Sequence, residues 1–244
     1  MTSAERQPET KRRRPGPRPR LDLPSIVRAA MEIADSEGLA AVSMANVAKR
    51  LGFTTMALYR HVVDKDDLVA EMLDAAVGVP DPLTTRQWRD GLAEWTTRIL
   101  RRCLERPWVV EVPTMAAPTR PNALRWLEQA LAVTEETPLP VDERLGVALV
   151  LYHFARSHAA MVIGMRRGAT ADHDRQTPSY AAALTSLVNA HDHPVLTRAI
   201  HSGELDVPVR LSPEEEMTDF RFGLDLILDG VATLIARHDC ARRD

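Results

Sequence analysis

Residues Thr54 to Lys65, TTMALYRHVVDK, gather more hydrogen-bonding side chains than a core segment tolerates. The hydroxyls of Thr54, Thr55 and Tyr59, the guanidinium of Arg60 and the imidazole of His61 can bond base edges or phosphates. The methyls of Met56 and the threonines can touch thymine methyl groups. Lys65 stands where a new helix begins, so its ammonium and the helix N-terminus can hold a phosphate together. This is recognition chemistry rather than bond-making chemistry. The sequence carries no G-x-S-x-G, H-E-x-x-H, P-loop or G-x-G-x-x-G signature, and an enzyme is not expected.

Short helices must present that face. Asp22 is placed to cap a first helix with Pro24 in its first turn, Ile26, Val27, Ala30, Ile33 and Ala34 recur at helical spacing, and Gly38 ends it. Ser43 caps a second helix whose buried stripe is Met44, Val47, Ala48 and Leu51. Gly52 permits a sharp turn, and a third helix is expected over about 54–62, with Phe53, Ala57, Leu58 and Val62 inward. Asp64 caps a fourth. Two short helices joined by a glycine turn and packed on a longer one form a helix-turn-helix, whose second helix enters a major groove. A plain helical bundle with a solvated polar face is the competing account of the same pattern.

Charge separates the chain in the same place. Residues 1–65 carry a net charge of +5 and the remainder −8. The segment ending KRRRPGPRPR cannot bury apolar area and is expected to be disordered alone. Its Arg14 and Arg18 suit an arm on nucleic-acid phosphates or in a minor groove, although a solubilising tail reads the same way.

The stretch GLAAVSMANVAKRLGFTTMALYRHVVDKDDLV resembles the DNA-binding domain of the TetR family of bacterial repressors, over roughly residues 22–75. The segment FRFGLDLILDGV, 220–231, resembles the last helix of the tetracycline-repressor-like C-terminal class. The resemblance implies an all-α fold, with an N-terminal three-helix DNA-binding domain followed by a larger ligand-binding and dimerisation domain. The expected division is a basic arm over 1–21, the helix-turn-helix domain over 22–78 and the second domain over 79–244. The resemblance puts Thr54, Thr55 and Met56 at base-reading positions, Tyr59 and His61 at phosphate-contacting or orienting positions, and Lys65 at the phosphate-binding lysine. Many relatives have a basic residue in helix 2 where this chain has Ala45, which leaves Ser43 and Asn46 as the polar residues there. The function implied is a repressor that binds a palindromic double-stranded operator as a homodimer and is released by a small molecule.

Beyond residue 78 the pattern is helical throughout. Helices are expected over about 85–106, 122–136, 142–168 and 213–239, with proline-rich turns over 107–121, a loop over 169–180 and short helices around Pro194. Ser212 and Glu215 form an expected capping box. In the last helix Met217, Phe220, Leu224, Ile227, Val231 and Leu234 make an a/d seam, and Phe222 and Leu226 add a second apolar side. With the small residues of the long helix, Ala155 and Ala159 among them, Phe220, Leu224, Ile227 and Val231 are expected at a four-helix dimer interface. Closure of the protomer core alone would need the same seam.

The cavity implied by the resemblance is expected to be lined by Trp108, Met115, Arg120, Trp126, His153, Phe154, His158, Met161 and Met165. Arg120 or a histidine would orient the polar group of an apolar or aromatic effector. Ala116 aligns with a metal-binding histidine of the tetracycline repressor, so magnesium–tetracycline is not the expected ligand. No cofactor is expected. A metal-responsive regulator using the histidines of the second domain is the alternative, although His191 and His193 would point about 200° apart on a helix. The two cysteines read as free thiols of a reducing cytoplasm. With neither a signal peptide nor an apolar run of about 18 residues, no membrane partner is expected.

Overall fold

A computed structural model describes residues 21–113, 119–171, 180–203 and 213–242. The arm with Arg14 and Arg18, Met115, Ala116 and the cap at Ser212 lie outside them. Among the described residues the fold is helical, with no strand.

Local signals set the N-terminal helices. Helix α1, Leu23–Glu37, is opened by a capping box between Asp22 and Ser25, with Pro24 in its first turn. Ser43 caps α2, Met44–Leu51, by accepting from the Asn46 amide at 3.1 Å. Gly52 follows at φ 73°, a left-handed conformation that other residues avoid, and this turns the chain into α3, Thr55–Leu58. Helix α3 is one turn long and does not run to Val62 as expected. Its continuation, Tyr59–His61, is a turn in which the His61 amide donates to the Leu58 carbonyl at 2.8 Å. The next helix competes for the backbone here. The Asp67 carboxylate takes the Val63 amide at 2.9 Å, and Asp64 caps α4, Lys65–Val77.

The second domain is built on α5, Trp88–Glu105, α6, Pro121–Val133, and α7, Val141–Ala171. A 3-10 turn, Pro107–Glu111, links α5 to the segment before α6. Two short helices, α8 (Tyr180–Thr185) and α9 (Pro194–His201), precede α10, Pro213–Ala241. By length and average composition the stretch Val141–Arg167 is apolar enough to cross a membrane, although His153, Arg156, Ser157 and His158 interrupt it. In the fold α7 packs against α5, α6, α10 and the 3-10 turn, which is the position of a core helix.

The a/d seam of α10 meets the protomer's own core. Phe220 (0% exposed), Leu224, Leu228 and Val231 are buried, as are Ala155 and Ala159 of α7. Ile227 is half-buried. Phe154 stacks on Phe220 with centroids 5.2 Å apart, and a Cβ on Gly223 would fall 2.7 Å from the Phe154 ring. Five of the six residues expected at a dimer interface are therefore spent inside one chain. The side left open on α10 carries Phe222 and Leu226, and that on α7 carries Leu149, Val150, Met161 and Met165.

Candidate DNA-reading face and its ties to the helical domain

Helix α3 is anchored by two residues, Leu58 and Val62, both buried beneath it. Thr55 and Ala57 are half-buried, and the other side chains from Thr54 to Lys65 point away. Met56 is 71% exposed and Tyr59 47%, and Thr54, Arg60, His61 and Lys65 are exposed beside them. The Thr54 hydroxyl accepts from the Ala57 amide at 3.3 Å as N-cap, so its proton remains available to an outside acceptor. Ser43 is half-buried and committed to its cap, while the Asn46 amide group donates to the Ala41 carbonyl at 2.8 Å. Ala45 is exposed between them. The polar groups left free thus belong to α3, the turn after it and the start of α4. They converge on one surface of hydrogen-bond donors and methyl groups flanked by a lysine.

Two joints fasten this surface to the rest of the chain. At the first, Asp35 of α1 accepts from the Trp108 indole N–H at 2.7 Å and pairs with Arg106. A cleft of about 430 Å³ opens beside it, lined also by Gly38, Glu105, Pro107 and Arg167. At the second, Arg120 pairs with both Asp67 and Glu71 of α4. The Asp74 carboxylate accepts from the Asn122 amide (3.0 Å) and the Ala123 amide (2.8 Å), which caps α6 from α4. The Trp126 indole donates to the Gly78 carbonyl at 3.0 Å and the Trp95 indole to the Trp126 carbonyl at 2.8 Å. The Val63 amide first, and Arg120 second, hold the Asp67 carboxyl below its ordinary value.

These contacts already occupy several residues of the expected ligand set. Trp108 is buried in the α1 joint, and Trp126 and Arg120 in or beside the α4 joint, each with its polar group already used. His153, Met161 and Met165 are exposed on the outer side of α7. Phe154 and His158 lie on the inner side, where His158 packs edge-on to Phe220 and shares a hydrogen bond with the Glu216 carbonyl at 3.2 Å. The described residues of that set fall in different places: the α1 joint, the α4 joint and the two sides of α7. His191 and His193 stand in a turn before α9, and among the described residues no three His, Cys, Asp or Glu side chains converge as a metal site requires. Asp35, Asp67, Asp74 and Arg156 were missed. Arg156, a charge on the apolar side of a long helix, was visible as an anomaly, whereas the aspartates look like ordinary surface acids.

A one-turn helix with a free polar face, set on α1 and α2 across a left-handed glycine, defines a helix-turn-helix DNA-binding protein with an appended helical domain. Comparison with known proteins identifies the family. Residues 26–72 match the model for bacterial regulatory proteins of the tetR family, and residues 81–235 match that for the tetracyclin repressor-like C-terminal domain. The HTH-type transcriptional repressor DrrR1 of Streptomyces coeruleorubidus is 31% identical over 237 residues, covering 92% of this chain and 83% of that protein. A HTH-type transcriptional regulator of Saccharopolyspora erythraea is 35% identical over 109 residues, 44% of this chain and 46% of the other. Apo ActR from Streptomyces coelicolor shares the fold, with a TM-score of 0.70 and 24% identity over 89% of this chain and 99% of that one. The chain belongs to the tetR family and is a DNA-binding transcriptional regulator.

Proposed function

We propose that the chain represses transcription by binding a two-fold-symmetric operator as a homodimer, and that a small molecule held in the helical domain releases it. The observation that carries this reading is mechanical continuity. The exposed face around Tyr59 leads into α4 at Lys65, and α4 is gripped along its length by Arg120, through Asp67 and Glu71, and by the start of α6, through Asp74. Any rearrangement of α6 must therefore move the reading face or break those bonds. A ligand favouring the displaced arrangement lowers DNA affinity, and DNA lowers ligand affinity by the same factor. We divide the chain accordingly into an arm over 1–21, a DNA-reading domain over 22–78 and a ligand-binding and dimerisation domain over 79–244.

The surface for the second copy is the outer stripe of α7 and α10. Leu149, Val150, Met161 and Met165 lie on it with Phe222 and Leu226, and the exposed Ser157, Ala160 and Gly164 let another helix come close. A relative by fold, ActR, is known in complex with actinorhodin, which supports an aromatic, apolar-bodied effector here. Titrating such compounds into the protein–operator complex, followed by fluorescence anisotropy, tests the reading. Saturable release by one of them is expected, and an operator complex indifferent to every small molecule, but dissociated by a protein, would overturn it.

A further inference from the structure

We infer that Arg156 is the recognition point for an anionic group, a carboxylate or an ionised phenol, on the effector of this regulator. The inference rests on the reading above that the helical domain takes a small molecule. Arg156 is 8% exposed and is the one arginine among the described residues that is buried. Two of its five N–H groups are used, donating to the Val109 carbonyl at 3.1 Å and the Val112 carbonyl at 2.8 Å. Its guanidinium carbon lies 5.8 Å from the centre of the Tyr152 ring. No carboxylate pairs with it among the described residues, whereas Arg120 has two and Arg166 and Arg167 have at least one each.

That arrangement is costly. A buried charge without a counter-charge is among the most unfavourable groups a core can hold, and arginine cannot shed its proton. Nearby Cys103 does not supply the missing charge: burial pushes its thiol up to about 11 against the pull of Arg156, so it is neutral at physiological pH. The two carbonyls fix the guanidinium and leave three N–H groups, among them the Nε–H, without an acceptor among the described residues. An edge made of Nε–H and a neighbouring N–H matches the two oxygens of a carboxylate. Beside it stands the Tyr152 ring, which suits a flat, apolar body. Arg120 cannot serve in its place, since both α4 carboxylates hold it.

The test uses matched pairs of probes on the full chain: naphthalene-2-carboxylate against naphthalene-2-carboxamide, and anthraquinone-2-carboxylate against its carboxamide, by titration calorimetry. In the wild-type chain the carboxylate of at least one pair is expected to bind about tenfold or more tightly than its carboxamide, the margin of one charge-assisted contact. Arg156→Gln should abolish that preference, bringing the carboxylate down to the affinity of its carboxamide, and Arg156→Lys should keep part of it. The wild-type comparison does not depend on either variant folding. Equal affinity within each pair overturns the proposal while leaving ligand release intact. Failure of every probe to bind also overturns it, and the operator titration described above then decides separately whether any small molecule acts on this chain.

Discussion

Arg120, one residue before α6, holds Asp67 of α4, and the same Asp67 carboxylate accepts the Val63 amide at 2.9 Å in the turn behind the DNA-reading face. A single carboxylate thus joins the helical domain to the backbone that sets Tyr59, His61 and Lys65 in place.

Removing the arginine tests that joint. Arg120→Ala leaves Asp67 and Glu71 without their shared partner in a partly buried position, and a loss of about 1–2 kcal/mol in chemical denaturation is expected. Its pH dependence has a definite sign. Asp67 is held below its ordinary value of 3.8 in the folded chain, so its contribution is complete above that value and is lost as pH falls through the lower folded value. The gap between wild type and Arg120→Ala should therefore be full at pH 7 and shrink below about pH 4. A gap that widens on acidification would contradict the assignment.

The cap that α4 lends to α6 offers a second probe. Asp74→Ala deprives the Asn122 and Ala123 amides of their acceptor and should cost about 1–2 kcal/mol of stability. Amide hydrogen exchange should quicken at the start of α6. Unchanged exchange there would mean that α4 does not hold that helix end.

Much of the DNA-reading domain was legible because its signals are local. Asp22, Ser43, Gly52 and Asp64 each act within a few residues, and all four fall where the spacing put them. The length of α3 was not legible, since Asp67 takes the Val63 amide from across a turn. The seam of α10 had the right period, yet period shows only that something covers the helix. Here α7 of the same chain does so, through Phe154 on Phe220. The ligand residues were the least legible, because methionine and aromatic types on α7 fall on its inner and outer sides alike, and because Arg120 has acidic partners 49 and 53 positions away.

Substitutions two positions apart on α10 separate the two faces. Leu226→Arg places a charge on the exposed side and should yield a folded monomer by analytical ultracentrifugation, with operator affinity sharply reduced. Leu224→Arg places an unpaired charge in the buried side and should unfold the domain, at a cost of several kcal/mol. A Leu226→Arg chain that remains dimeric would exclude this face as the interface.

The reading residues make the most direct claim of all. Tyr59→Ala and Lys65→Ala should each weaken operator binding by about 1–3 kcal/mol without loss of stability. The decisive measurement is selection of bound duplexes from a random library by the wild-type chain, with anisotropy titration of the selected sequence against both variants. The account predicts enrichment of a two-fold-symmetric sequence whose half-sites lie about one helical turn apart, or a multiple of it, and weaker binding of it by each variant. Selection without enrichment, or a selected duplex bound equally by wild type and both variants, would contradict the placement of the DNA-reading face on α3 and Lys65.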